Sequence, residues 1–244
     1  MTVFLRHGAD VLLLRRSEAV GSYRGRWGAV AGHAEGDLAG AAREEIQEET
    51  GIDPEDAVTL VREGEPFAVE DADLDTRWLV HPFLFDGETR AVEPNEETSE
   101  FEWVPPTAIL RRETVPDLWT SYDRVRPSVE TVAGDAEHGS ASLSLRALEV
   151  LRDEAALAVE GRSERADWPA LTDLAAALVD ARPAMPVVAN RVDRAVSDAA
   201  ETGTPDALEA AAEAGLDRAL AADDEAAERA AARVEGARVA TLSR

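Results

Sequence analysis

GHAEGDLAGAAREEIQEETGI, Gly32 to Ile52, decides how this chain is read. A glycine-bearing turn runs into a segment dense in alanine and glutamate, and Gly51 closes it, as Gly commonly closes a helix. The pattern predicts a helix over residues 38–50. On it Glu45, Glu48 and Glu49 stand at i, i+3 and i+4, and so share one face. Three carboxylates on one face repel each other unless something positive sits between them. A hard divalent cation such as Mg²⁺ takes oxygen ligands and keeps some of its waters, so it fits that need, with Mn²⁺ as an alternative. The competing reading is a solvated acidic face, which so acidic a protein can carry anywhere. Glu44 projects about 100° away from Glu45 around the helix and adds charge without joining the set.

EEIQEETGI after a glycine-rich turn also resembles the second half of the Nudix box. That pattern runs from a loop Gly and a loop Glu to Arg-Glu-apolar-x-Glu-Glu-x-Gly-apolar. Glu45, Ile46, Glu48, Glu49, Gly51 and Ile52 match position by position. Two positions depart. Glu44 stands where the motif has Arg, with Arg43 one residue early, and Gly32 lies two residues closer to Gly51 than the pattern places it. Counting back from Gly51 puts the loop Glu at Gly36, so its neighbours Glu35 and Asp37 are the loop-carboxylate candidates.

The resemblance implies a Nudix-like α/β/α sandwich with a mixed sheet. It further implies Mg²⁺ held by Glu45, Glu48 and Glu49 on a diphosphate, with Glu45 and Glu48 catalytic and a carboxylate helping to activate water. The substrate class would be a nucleoside diphosphate linked to another group. Gly32, Arg24 and Arg26 are the substrate-binding candidates, set against ordinary surface arginines. Glu100, on a segment resembling the late Nudix strand, is a weaker candidate for a further metal oxygen. Trp27 reads as a core residue and His33 as a loop histidine without chemistry.

Composition narrows the partners. The 244 residues hold 50 acidic and 25 basic side chains, every basic one Arg, for a formal net charge of −25. Such a surface repels nucleic-acid phosphates and anionic membranes. The acidic excess runs through both halves, and with Lys absent it resembles the proteins of salt-loving organisms, whose self-repulsion is screened at high salt. No cysteine is present, so disulfides and thiolate metal sites are excluded. Neither a signal sequence nor an apolar run of membrane-spanning length is legible, which predicts a cytoplasmic protein.

Along the chain, Val3–Arg6 and Val11–Leu14 predict a hairpin through His7 to Asp10, and Ala29–Ala31 a short strand before the Gly32 turn. Val58–Val61, Phe67–Val69, Trp78–Phe85 and Glu100–Val104 predict further strands, and Thr107–Arg111 and Val115–Tyr122 short helices. The texture then changes. Trp168 is the only aromatic after Pro127, alanine dominates, and the apolar period becomes helical. Leu145, Leu148, Leu151 and Ala155 form one stripe, Trp168, Leu171, Leu174 and Leu178 a second, Val188, Val192 and Val196 a third. A fourth runs through Leu208, Ala212, Leu216 and Leu220, with Thr204 as N-cap and Pro205 at the first helical position. The fold class is therefore α+β: a Nudix-like domain over residues 1–126, then an all-α bundle over residues 127–244.

The second half resembles the N-terminal helical domain of the initiation factor 2B alpha/beta/delta family, through EHGSASLSLRALEVLRDEA at Glu137–Ala156 and ARPAMPVVANRVDRAV at Ala181–Val196. That implies subunit contact, hence a homo-oligomer. ARVATLS, residues 237–243, resembles the first strand of the Rossmann-like half that follows in that family, as if the chain were cut off there. Arg182 and His138 could face a ligand in that family, although Arg182 and Pro183 also serve simply to end a helix. The leading reading is a Mg²⁺-dependent Nudix hydrolase fused to this helical domain. The alternatives are a non-catalytic nucleotide-sensing module and a translation initiation factor 2B-related subunit.

Overall fold

The computed structural model describes the chain except residues 34–35, 72–74, 235 and 237–244, together with the side chains of residues 223 and 224. Glu35 and the ARVATLS segment therefore lie outside the described residues. The chain divides into two compact units, Met1–Pro127 and Ser128–Arg244.

The first unit is built on a mixed sheet. Strands β1 (Thr2–His7) and β2 (Asp10–Arg16) form the expected hairpin, pairing Arg6 with Val11 and His7 with Asp10. Continuing that register would pair Val3 with Leu14 and Thr2 with Arg15. Instead the two strands splay, and the short strands β3 (Trp27–Gly28) and β4 (Val30–Ala31) fill the wedge. β3 pairs Gly28 with Leu14, and β4 pairs Val30 with Val3. This places the end of β4, and Gly32 after it, beside the chain start.

β8 (Pro82–Gly87) runs parallel to β1, β5 (Val58–Glu63) antiparallel to β8, and β9 (Thr98–Val104) antiparallel to β2. Helix α1 (Leu38–Thr50) covers one face, with Ala42 and Ile46 packed among Val3, Leu5, Leu12 and Phe83. On the other face Phe4 meets Tyr122 of α2 (Leu118–Asp123) edge-on at 5.2 Å. The result is a mixed sheet between helical layers, as the α+β reading expects.

One strand expectation needs correction. The run Trp78–Phe85 is not a single strand. It breaks at His81 into β7 (Thr76–Val80), which pairs only with β6 (Phe67–Asp71) in a separate two-stranded ribbon, and β8, which enters the main sheet. Pro82 fixes its own φ, lacks an N–H donor and keeps the preceding residue extended, so a ladder cannot run through it unchanged. The carbonyls at the break are used instead by Thr2 N and Gly64 N.

The second unit is a bundle of α3 (Val129–Gly134), α4 (Ser140–Val159), α5 (Trp168–Ala181), α6 (Pro186–Ala199) and α7 (Pro205–Val234). Thr204 accepts from Ala207 N at 3.3 Å and Pro205 opens α7, as the sequence predicts. Arg182 donates to the carbonyls of Val132 and Asp135, closing the C-terminus of α3. Its role is structural.

The stripe read for α4 is also corrected. Every residue from Ala147 to Leu157 is buried, because α4 packs against α3, α5, α6 and α7. That sheath encloses charged groups: Arg146 holds Glu149, and Arg152 holds its neighbour Asp153 at 2.9 Å. On α6 the buried stripe is Val188, Val192, Ala195 and Ala199, while Val196 is half-buried.

Candidate active site

Helix α1 is fixed at both ends by local chemistry. The Asp37 carboxylate accepts the Gly40 N–H at 3.1 Å, so this loop-carboxylate candidate serves as the N-cap. Gly51 takes φ of 71°, a left-handed conformation that suits Gly, and returns its N–H to Gln47. Between these ends, Glu45 and Glu49 turn toward the β4 end of the sheet and Glu48 faces solvent.

The three carboxylates are not equivalent. Glu49 is only 9% exposed and accepts the Ala31 N–H at 3.3 Å. Burial pushes its carboxyl up to about 8; the Ala31 hydrogen bond opposes this, and the charges of Glu45 and Glu97 add to it. Glu45 is half-buried and is likewise raised, by burial first and then by Glu48, with Glu97 adding and the Met1 ammonium opposing. Met1 donates to the Gly32 carbonyl at 2.6 Å, which puts that ammonium at the mouth of the site.

Gly32 has a packing reason. A Cβ built there would lie 1.7 Å from Glu45 Oε1, so the carboxylate occupies the space a side chain would need. The intruding atoms end a flexible side chain. Gly32→Ala is therefore expected to cost stability under about 1 kcal/mol while displacing Glu45. Activity should fall roughly tenfold or more, since small misplacements of catalytic groups are expensive. Parallel melting and turnover measurements check this; a variant that keeps full turnover counts against the placement of Glu45.

Sequence reasoning missed Glu97. Its charge acts on both Glu45 and Glu49, and its backbone is anchored by Ser17 N, which donates to the Glu97 carbonyl at 2.7 Å. The chosen residue of that region, Glu100, stands opposite Arg15 in the β2–β9 register and pairs with it at 3.1 Å. Both ends of this pair are about half exposed, as in an ordinary cross-strand surface pair. No local sequence signal separates the two glutamates.

The arginines fall differently from the motif. Arg43 lies 5.2 Å over the Phe85 ring and donates to Ala39 O, and Glu44 is exposed. Arg24 is exposed and donates to Val20 O within its own loop, and Arg26 is exposed and donates to Thr114 O at 3.3 Å. Trp27 is half-buried, capped by Arg112 at 4.5 Å.

Among the described residues no three acidic or histidine side chains are already drawn into a metal-ligand set. The donor chemistry nevertheless fits a hard cation. Burial and mutual charge raise Glu45 and Glu49, and an inserted cation would relieve the repulsion. Mg²⁺ needs only one or two carboxylates when waters and substrate phosphates complete its shell.

Comparison with known proteins bears on the first unit. The family model described as NUDIX domain matches residues 1–125. Among solved structures, a Nudix hydrolase from M. smegmatis, RenU, is similar at 21% identity over 57% of this chain and 87% of its own, with a TM-score of 0.44. A MutT protein from Methanosarcina mazei Go1 is similar at 26% identity over 51% of this chain and 88% of its own, with a TM-score of 0.42. The NUDIX domain of Shewanella oneidensis NrtR, complexed with ADP ribose, is similar at 16% identity over 50% of this chain and 82% of its own, with a TM-score of 0.39. No curated protein matches the chain.

Proposed function

The chain belongs to the NUDIX domain family, matched over residues 1–125, and from that premise we propose that it hydrolyses a nucleoside diphosphate linked to another group. The observation that carries this reading is the convergence of Glu45, Glu49 and the charge of Glu97 at the Ala31–Gly32 end of the sheet, with Glu48 beside them. Glu45, Glu48 and Glu49 would hold Mg²⁺, or Mn²⁺ in its place. When bound, the ion supplies charge neutralisation on the diphosphate and an acidified water.

The chain's own groups do the rest. Glu49 accepts the Ala31 N–H and Glu45 fills the space beside Gly32, so that with the ion bound they would orient the diphosphate through it. Among the described residues Glu48 has no hydrogen bond or ion pair, and it faces solvent. We read its carboxylate as the acceptor of the attacking water's proton. Water adds to one phosphorus, the bridging P–O bond breaks, and the departing phosphate carries the electron pair. Assay of a panel of nucleoside diphosphate derivatives with Mg²⁺ at high salt tests this. No turnover of any of them would overturn it.

A second reading has its own support: nucleotide sensing without turnover. Arg43 lies over Phe85 and Glu44 is exposed, so among the described residues neither takes the place of the motif arginine. Nucleotide binding without hydrolysis in the same panel would select this reading.

For the rest of the chain, we take residues 1–126 as the Nudix-like domain and residues 127–244 as a helical domain like that of the initiation factor 2B family, acting in homo-oligomer contact. No helix among the described residues is long and apolar enough to cross a membrane. A cytoplasmic, salt-adapted protein fits the net charge of −25 with Lys absent. Raising KCl from about 0.1 M to about 2 M should lift the melting temperature markedly, because the Debye length shrinks to a few ångströms. A melt insensitive to salt would contradict the salt-adapted reading.

A further inference from the structure

The loop between β2 and β3 carries Tyr23 in a left-handed conformation, φ 52°. Such a backbone is uncommon for a bulky residue, and held outliers cluster at functional segments. Two contacts hold it. The Tyr23 hydroxyl donates to Asp71 Oδ2 at 2.5 Å, and its ring lies 6.3 Å from that of Trp78 at a tilt of 56°. Asp71 and Trp78 belong to the β6–β7 ribbon, so Tyr23 ties the ribbon to the loop.

The neck of this loop meets the segment that carries Glu97. Arg16 N donates to Arg26 O at 3.0 Å, and Gly25 N to Arg16 O at 2.9 Å, which brings Arg16 and Arg26 together. The next residue, Ser17, donates its N–H to Glu97 O. Arg16 Nε also donates to Ser22 O at 2.9 Å, which sets its guanidinium beside Tyr23. The order along these contacts is therefore aromatic pair, then Arg16, then the Glu97 segment of the acidic cluster. A nucleoside diphosphate carries the matching order: base, then phosphates, then the cation that the phosphates share.

Resting on the hydrolase reading above, we propose that Tyr23 and Trp78 form the platform on which the nucleobase of the substrate stacks, with Arg16 facing the phosphates between base and carboxylates. Both aromatic side chains are half-buried, so each keeps surface for a ligand. Stacking uses the π-face that every base has, so the platform selects for a base and only weakly among bases.

The test compares two probes on the full chain by calorimetry: AMP, and ribose 5-phosphate, which lacks the base. AMP should bind about 10- to 100-fold more tightly. Tyr23→Ala should remove most of that gap. Tyr23→Phe, which keeps the ring and loses the Asp71 hydrogen bond, should retain it. Circular dichroism of both variants confirms that they fold. Equal binding of the two probes, or a gap that survives Tyr23→Ala, overturns the proposal. So does a gap lost equally in Tyr23→Phe, because the tether and not the ring would then be responsible. Hydrolysis of a nucleoside diphosphate sugar, run alongside, separates the two readings. Turnover without a probe gap leaves the hydrolase reading and removes the platform. A gap without turnover keeps the platform and removes hydrolysis.

Discussion

Glu49→Gln is expected to lower hydrolysis by about 100- to 10,000-fold while making the metal-free protein more stable at alkaline pH. The two effects come from one carboxyl. Buried against Ala31 and beside two other acidic groups, it is pushed up to about 8 from 4.5. Between those values the folded chain keeps a proton that the unfolded chain has lost. Stability of the metal-free protein should therefore fall as pH rises from about 4.5 to about 8, and the lost part is absent above that. Each tenfold difference in proton affinity between the folded and unfolded chain corresponds to about 1.4 kcal/mol, so the total is on the order of several kcal/mol.

Gln keeps the shape and removes the titration, so the variant should show a flatter profile. Melts at pH 5, 7 and 9, with and without Mg²⁺, read this directly. Mg²⁺ should stabilise the unaltered protein most at pH 9 and the variant much less. A variant with full turnover, or an unaltered protein whose metal-free stability rises between pH 5 and 8, would contradict the placement of Glu49.

Arg152→Ala should destabilise the helical unit by roughly 3–5 kcal/mol. Arg152 is 1% exposed and its partner Asp153 0%, both on the sheathed part of α4. Removing the guanidinium takes a buried cation away from the Asp153 carboxylate in a place water does not reach, and the cost of that partly stranded charge exceeds any loss of packing. Replacing both together, Arg152→Met with Asp153→Leu, should recover most of the loss, because the ion pair is then exchanged as a whole for apolar groups. Urea denaturation followed by helical circular dichroism compares the two. If the double variant is no more stable than Arg152→Ala, the stranded-charge explanation fails.

Helix α1 was legible to its ends because its signals are local: the Asp37 cap lies three residues from the Gly40 N–H it accepts, and Gly51 needs only its own backbone. Thr204 and Pro205 announce α7 for the same reason. Asp37 shows the other side of that locality. A loop-carboxylate candidate, it is also the cap that its position just before the helix already signalled.

Glu97 was not legible. It reaches the site by a hydrogen bond to Ser17, across the β2–β9 pairing, and sequence spacing does not encode such pairings. The sheathing of α4 was hidden likewise, since periodicity shows which residues are apolar and not how many neighbours surround a helix. At Trp78–Phe85 the proline was visible, but the continuous apolar and aromatic content outweighed it.

That break at His81–Pro82 has a bearing on how such a protein can change. Among the described residues the β6–β7 ribbon shares no ladder with the main sheet. Insertions and deletions within it need not shift the β1–β8 register. Nor need they move the β4 end that faces Glu45 and Glu49. A lineage could lengthen, shorten or exchange the ribbon and so try new ligands while the hydrolytic machinery stays in place. Innovation and conservation are then assigned to separate stretches of chain, divided at a single proline.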